Sequence, residues 1–179
     1  SGDKTRRLLG TFLTTSTTAT ADSLLNRHLA HVYNLVPKRI YINPAYADDA
    51  ASSNYTTTST AFSLANAGTN AQAIFISALG EGIVPCTLLA AMLYSWANGT
   101  IAAIGLDTSS TAQTYAYILG TGYGLSHTSW TFTPSVGRHA VTLLVRVTGG
   151  TGTFYADDGA RGNGATDPHM TGINGMIWC

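Results

Sequence analysis

The sequence predicts a mainly β protein, an antiparallel β-sandwich or jelly roll of about eight to ten strands with an N-terminal arm and one amphipathic helix. Two observations predict this fold class. Short segments rich in β-branched and aromatic residues recur along the chain, separated by turn residues at the spacing typical of sandwiches. Few helical segments lie between them, so a parallel sheet built from strand–helix–strand units is not expected.

Composition narrows the class of function. The chain has 179 residues, 45% hydrophobic and 10% charged, with 9 basic residues balancing 9 acidic ones. The apolar content argues against disorder, and zero net charge argues against nucleic acid as the main partner. The longest apolar stretch, residues 83–97, is too short and too interrupted to be inserted in a membrane. Low charge favours self-association. Either hydroxyl and amide side chains wet the surface, or apolar surface is buried between subunits.

Residues 1–21 are predicted to form an extended arm. Residues 8–13 can pair as a strand, and the Thr/Ser tract at 14–20 has high β-propensity without the alternation that would seal a core. The sequence opens without a methionine, so we expect a fragment or a processed product.

One helix is predicted over residues 22–37, where Asp22 can cap the start and Pro37 ends the helix. Apolar residues recur there at three- and four-residue steps, so one face must dock on something. We expect the arm and this helix to mediate contacts between subunits or attachment to other proteins of the assembly. The residues assigned to that interface are Leu8, Leu9, Phe12, Leu25, Leu29, Val32 and Val36.

Residues 38–179 are predicted to form the β-sandwich as a single domain. Its strands are assigned to residues 39–43, 55–62, 71–79, 86–96, 100–107, 113–119, 128–133, 139–148, 152–156 and 173–178. Asn98-Gly99 indicates a tight hairpin between two of them, because this dipeptide accepts positive φ angles. The strand at 139–148 is apolar on both faces. It is therefore expected either to have a covered outer face within the sandwich or to lie at a subunit interface.

No catalytic constellation is visible in the sequence. There is no Gly-x-Ser-x-Gly motif, and Glu81 is the only glutamate, so paired carboxylates would come mostly from aspartates at turns. We therefore expect no enzyme activity and no cofactor, and a polysaccharide-degrading enzyme ranks last among the alternatives.

Metal and thiol sites are not expected either. His28 and His31 have a spacing that can serve a metal, but no companion Cys or Glu is near, which favours a surface or interface pair. The Gly/Asp-rich loop at 157–164 does not match the EF-hand pattern. Cys86 lies in an apolar run and is predicted to be a core residue, whereas Cys179 ends the chain.

Glycan binding would require an exposed aromatic platform beside polar groups. Tyr123, Trp130 and Tyr155 are the candidate aromatic residues, and Asp157 and Asp158 are the candidate polar partners. Core packing is the competing interpretation for Trp130, because aromatic residues favour half-buried strands.

Several stretches together resemble a family of structural proteins of tailed bacteriophages. They are residues 5–11, 14–15, 22–23, 31–37, 104–110, 137–139 and 172–175, which follow one another over nearly the whole chain. The resemblance implies a virion-surface component such as a fibre, spike or head decoration, formed by a trimeric jelly-roll domain at the C-terminus of a longer protein. It implies no catalytic residue.

Two functions share this expected fold. In the first, the chain is a structural virion subunit whose partners are copies of itself and, through the arm, other virion proteins. In the second, it is the receptor-binding tip of a tail fibre that grips a host-surface glycan or protein.

Overall fold

The computed structural model describes residues 10–12, 26–27, 29–31, 37–43, 54–68, 70–77, 84–94, 99–119, 122–155 and 171–178. Fourteen strands and one short 3-10 segment are assigned within these ranges. The strands are β1 Gly10–Phe12, β2 Asn26–Arg27, β3 Leu29–His31, β4 Pro37–Ile42, β5 Asn54–Thr57, β6 Ser63–Leu64, β7 Gln72–Ser77, β8 Val84–Tyr94, β9 Thr100–Leu106, β10 Thr114–Ile118, β11 Gly122–Phe132, β12 Gly137–Val147, β13 Gly152–Tyr155 and β14 Gly172–Trp178. The 3-10 segment is Ala65–Gly68.

Two six-stranded sheets form the body of the described chain. The first sheet has the order β10-β9-β12-β7-β2, with β6 also beside β12. The second sheet has the order β4-β14-β8-β13-β5, with β11 on the other side of β8. Of the strand pairs in the described ranges, only β2 with β7 is parallel. The small β1 and β3 strands pair separately.

The connectivity of the two sheets is that of a jelly roll. The chain changes sheet between β7 and β8, between β8 and β9, between β10 and β11, and between each pair of successive strands from β11 to β13. Such alternation between two antiparallel sheets is typical of jelly rolls. The predicted mainly β sandwich is therefore confirmed, and each strand assigned from the sequence has a counterpart. The one predicted at 55–62 is shorter in the structure, since β5 ends at Thr57.

The core lies between the two sheets. Ile104 and Leu143 of the first sheet and Leu88, Phe154 and Ile173 of the second are fully buried there. Each such side chain contributes about 1.5–3 kcal/mol through burial of apolar surface. The sandwich is thus held mainly by side chains that alternate along its central strands.

The strand predicted at 128–133 is longer in the structure and begins at Gly122. It pairs with β8 over its whole length, from Gly122 opposite Tyr94 to Phe132 opposite Val84. The first part of this strand was not predicted from the sequence, because Gly124 and the serines in this stretch are small or polar residues with low β-propensity.

The two apolar faces of β12 are both buried within one chain. Val141, Leu143 and Val145 face the core between the sheets. On the opposite face, Thr142 is 3% exposed and Leu144 is 0% exposed. Of the two expectations for this strand, a covered outer face is therefore the one observed, and β12 needs no second subunit to bury it.

The hairpin predicted at Asn98-Gly99 is wrong, because β8 and β9 belong to different sheets. The segment between them crosses from one sheet to the other. Gly99 is needed there for close packing rather than for a hairpin turn. It is buried, and a Cβ built on it would overlap the ring of Tyr117 on β10.

The helix predicted over residues 22–37 is also wrong where the structure describes this segment. Asn26–Arg27 and Leu29–His31 are strands, and Pro37 begins β4 rather than ending a helix. Strand β2 pairs with the edge of β7, and β3 pairs with β1. Helical periodicity over so short a window is a weak preference, and pairing to an open sheet edge overrides it.

The predicted arm strand at residues 8–13 is confirmed in its central part, β1. Phe12 lies directly opposite Leu29 in the β1–β3 pair, so these two predicted interface residues meet along the backbone. Five other predicted interface residues lie outside the described residues: Leu8, Leu9, Leu25, Val32 and Val36.

Candidate functional site

Three features of the described surface have chemistry beyond core packing: a side-chain cluster at the start of β12, an exposed stripe on β10, and a pocket beside β5.

Asp107, at the end of β9, ties that strand to the start of β12. Its Oδ1 accepts a hydrogen bond from the Ala140 N–H at 2.7 Å, and its own N–H donates to the Ala140 carbonyl at 2.8 Å. Its Oδ2 lies 2.7 Å from His139 Nδ1. Asp107 has a φ of 54°, in the left-handed region that aspartate tolerates better than most residues.

His139 contacts Ser135 on one side and Asp107 on the other, as the histidine of a Ser-His-Asp hydrolase triad does. The geometry of the three residues does not support nucleophilic catalysis by Ser135. The His139 Nε2 atom lies 2.8 Å from the Ser135 carbonyl oxygen and 3.5 Å from its hydroxyl. A general base must present an unprotonated nitrogen to the hydroxyl, whereas this nitrogen faces an acceptor. The ring is 8% exposed and packs against Phe75. The cluster therefore fixes the start of β12.

An exposed stripe lies on the outer face of β10; we call it the β10 stripe. Tyr115, Tyr117 and Leu119 alternate along the chain and are 60%, 37% and 70% exposed, while Ala116 between them is buried in the core. Because successive strand residues point to opposite faces, Tyr115 and Tyr117 share one surface, and Leu119 follows directly after the end of β10. Leu125, 48% exposed, lies at the adjacent end of β11.

The stripe sits at a closed corner of the sandwich. Strands β10 and β11 belong to different sheets but run side by side, with Thr114 Oγ1 2.8 Å from Thr128 Oγ1. At the other end, Ile118 packs so close to Gly124 that a Cβ there would lie 2.9 Å from the Ile118 Cδ1 atom. Side-chain contact between the two edge strands shields both from strand addition. A partner of this region would therefore meet side chains rather than an open backbone edge.

A pocket of about 550 Å³ lies beside β5; we call it the loop pocket. Its wall combines β5, the segment 62–67, the turn at 109–110 and one residue of β12. The lining residues are Tyr55, Thr56, Thr57, Phe62, Ser63, Leu64, Asn66, Ala67, Ser109, Ser110 and Val145. None of these side chains is an acid or a strong base, and five carry a hydroxyl in addition to that of Tyr55.

The Tyr55 side chain belongs both to the pocket wall and to the core. Its ring stacks on Phe154 with centroids 5.2 Å apart and planes 8° from parallel. Only 7% of the residue is exposed, and its hydroxyl has no hydrogen-bond partner among the described residues. Burial raises the pKa of this phenol well above its usual range, so it stays protonated.

Phe62 joins the pocket to the outer face of β12. The Arg146 guanidinium lies 4.8 Å from the centre of the Phe62 ring, and its Nη1 donates to the Thr60 carbonyl at 3.5 Å. The Nε atom of Arg146 is buried without a partner in the described ranges. The positive charge near the pocket is therefore engaged with the ring and with a backbone oxygen.

The far wall of the pocket contains strained backbone. Asn66 and Ala67 have φ angles of 44° and 53°, followed by Gly68 at 90°. A left-handed conformation costs a non-glycine residue roughly 1–2 kcal/mol. Ala65 is fully buried and Leu64 pairs with Leu144, so packing on both sides holds the strained turn in place.

Of the sequence-predicted ligand residues, Tyr123 and Trp130 lie within the described ranges on β11, and Tyr155 lies there at the end of β13. Trp130 is partly buried, stacks on Phe132 at 4.5 Å and packs against the core, as its competing interpretation held. Tyr123 lies in β11 opposite Leu93. Asp157 and Asp158 lie outside the described residues.

Sequence reasoning missed both the β10 stripe and the loop pocket. The signal for the stripe was the Tyr-Ala-Tyr alternation at 115–117, which places two large side chains on the face opposite a small buried one. The pocket had no sequence signal, because its wall joins segments more than forty residues apart (Thr57 and Ser109, for example).

Comparison with known proteins gives a distant structural likeness. No family model and no curated protein matches the sequence. The solved structure of Eiger TNF from S. frugiperda is similar with a TM-score of 0.45 and 8% identity, covering 82% of this chain and 93% of that chain. Murine APRIL is similar with a TM-score of 0.45 and 8% identity, covering 79% of this chain and 99% of that chain. We draw no conclusion about function from these two proteins.

The described ranges contain no helix with the length and apolar character needed to cross a membrane.

Proposed function

We propose that this chain is a structural subunit of a virion surface that assembles with copies of itself, as a trimer, through the β10 stripe. The single observation that carries self-association is the exposure of Tyr115 and Tyr117 on one face of an edge strand, with Leu119 exposed just beyond its end. Large aromatic and aliphatic side chains grouped in this way mark surfaces that bury themselves against a partner.

The cross-strand neighbours of the stripe are apolar and buried beside it. Tyr115 lies opposite Ala103 of β9, and Tyr117 lies opposite Ile101. Both β9 residues are buried, so the tyrosine rings stand beside small or covered side chains rather than among charges. Tyrosine suits such a surface because its ring supplies contact area while its hydroxyl can hydrogen-bond at the rim.

The low charge of the chain supports the same proposal. Only 10% of residues are charged and the net charge is zero, so little electrostatic repulsion opposes contact between identical copies. The virion setting rests on the resemblance of the sequence to phage structural proteins. The predicted role of the N-terminal arm, attachment to other virion proteins, remains part of the proposal.

Self-association through the β10 stripe can be tested by measuring the mass in solution of variants that carry a charge in the stripe. Tyr115→Lys and Leu119→Lys place charges on well-exposed positions, so they should leave the fold intact while dissociating the assembly at micromolar concentration. Val136→Lys is the matched control, since Val136 is 65% exposed and lies in the turn at the opposite end of β11. Light scattering should show monomers for the two stripe variants and the parental mass for the control. An unchanged mass in both stripe variants would exclude the stripe from the interface.

A receptor-binding tip is the second candidate function. The observation that favours it is the loop pocket, whose hydroxyl-rich wall suits a small polar ligand.

A further inference from the structure

We propose that the loop pocket binds an uncharged, hydroxyl-bearing ligand of mono- or disaccharide size. The proposal does not depend on self-association, because the pocket is formed by residues of one chain, none of which belongs to the β10 stripe.

The size of the pocket fits a small molecule. Its volume of about 550 Å³ lies within the range of roughly 300–1,000 Å³ that is typical of ligand sites. Such sites combine apolar and aromatic walls with a few polar groups that fix orientation. Here Phe62, Leu64 and Val145 supply the apolar part, and serine and threonine hydroxyls with the Asn66 amide supply the polar part.

The absence of charged side chains from the described lining of the pocket favours a neutral ligand. An anion or a cation taken out of water needs an opposite charge, and the lining offers none. The nearby Arg146 guanidinium is committed to the Phe62 ring and the Thr60 carbonyl. Hydroxyl groups of a ligand, in contrast, can both donate to and accept from the serine and threonine side chains.

Two buried polar atoms without a partner among the described residues lie behind the pocket wall. They are the Tyr55 hydroxyl and Nε of Arg146, whose guanidinium stacks on the lining residue Phe62. Both atoms are shielded from solvent, so a ligand in the pocket meets the hydroxyls of the lining serines and threonines instead.

The strained turn gives the pocket a fixed wall. Asn66 and Ala67 both adopt positive φ, and the buried Ala65 and the Leu64–Leu144 pair hold them there. Strained backbone that the surrounding packing enforces is characteristic of ligand sites, because it sets polar groups in place before the ligand arrives.

The experiment is a titration of the ¹⁵N-labelled chain, followed by amide chemical shifts. The probes are glucose, galactose and N-acetylglucosamine, each up to about 30 mM, which covers Kd values in the millimolar range. Glucuronate and glucosamine are matched charged probes. We expect at least one neutral sugar to shift the amides of Ser63, Asn66, Ala67, Ser109 and Ser110, with at least tenfold weaker binding of its charged analogue.

Variants locate the site. Ser110→Trp fills the mouth of the pocket from an exposed position and should weaken binding at least tenfold. Ser129→Trp makes the same change at an exposed position of β11 and should leave binding unchanged. Thermal melting of both variants verifies that they fold, and Ser109→Trp replaces Ser110→Trp if the latter does not.

The outcomes separate this proposal from self-association. Absence of shifts with all three neutral sugars, tighter binding of a charged analogue, or unchanged binding in the folded Ser110→Trp variant would each overturn it. The Tyr115→Lys variant should bind the sugar as the parent chain does, whatever its mass.

Discussion

Replacing Asp107 with alanine should be among the most destabilising single changes outside the core. The substitution removes the carboxylate that accepts from the Ala140 N–H at 2.7 Å and lies 2.7 Å from His139 Nδ1. A hydrogen bond to a charged group contributes about 1.5–3 kcal/mol. The contact with His139 adds at most about 1 kcal/mol, because the Asp107 side chain is 44% exposed.

Backbone conformation adds a third contribution. Asp107 has a φ of 54°, which alanine adopts at a cost of roughly 1–2 kcal/mol. Together the losses amount to about 2.5–6 kcal/mol. For a chain of this size each kcal/mol lowers Tm by about 2–4 °C, so a fall of about 5 °C or more is expected.

Urea unfolding of a matched series measures this effect. Asp107→Asn keeps an acceptor oxygen and tolerates positive φ, so it should lose about 1 kcal/mol. Asp107→Gly relieves the backbone but loses both side-chain contacts and should fall between the other two variants. A cost below about 1 kcal/mol for Asp107→Ala, or equal costs for the alanine and asparagine variants, would refute the assigned role of this residue.

Three further predictions follow from buried groups. Tyr55→Phe should raise the free energy of unfolding by about 1–2 kcal/mol. The substitution removes a buried hydroxyl without a partner among the described residues and keeps the ring stacked on Phe154. A lower melting temperature of this variant would show that the hydroxyl is paired. Burial raises the pKa of the Cys86 thiol to about 12, so in a Cys179→Ser variant at pH 8 the reactive thiolate fraction should be roughly 10⁻⁴. A thiol reagent should then label Cys86 only after unfolding, and rapid labelling of the native chain would contradict its burial. Gly99→Ala should cost about 0.5–1.5 kcal/mol, because the added Cβ forces the partly exposed Tyr117 ring out of its position. The cost should be smaller in a Tyr117→Ala background, and equal costs in both backgrounds would show that the two residues do not touch.

The strands could be predicted because their local pattern and their tertiary role agree. In β12, alternating Val141, Leu143 and Val145 face the core, as a period of two requires. The burial of Cys86 in an apolar run was confirmed for the same reason. Apolar residues on both faces also indicated a central strand, although the sequence could not show whether the outer face is covered within one chain or by a second subunit.

The errors arose where distant segments decide the structure. Asn98-Gly99 is a strong hairpin motif, but in the structure Gly99 lies directly against the ring of Tyr117, which is eighteen positions later in the sequence. The helical spacing at residues 25–36 was misleading because β2 pairs with β7, nearly fifty positions away, as Asn26 opposite Ile74 shows. The loop pocket likewise needs β5 and the turn at 109–110 side by side, which no local pattern specifies.

The central claim is that copies of this chain meet through the β10 stripe, and the most direct measurement is the mass of the unaltered chain by sedimentation equilibrium at micromolar concentration. One chain has a mass of 18.7 kDa, so a trimer would have three times that mass, about 56 kDa. We expect the trimer mass, with a loss of mass on dilution or on placing lysine at Tyr115. A single species of 18.7 kDa across the concentration range would contradict the proposed assembly.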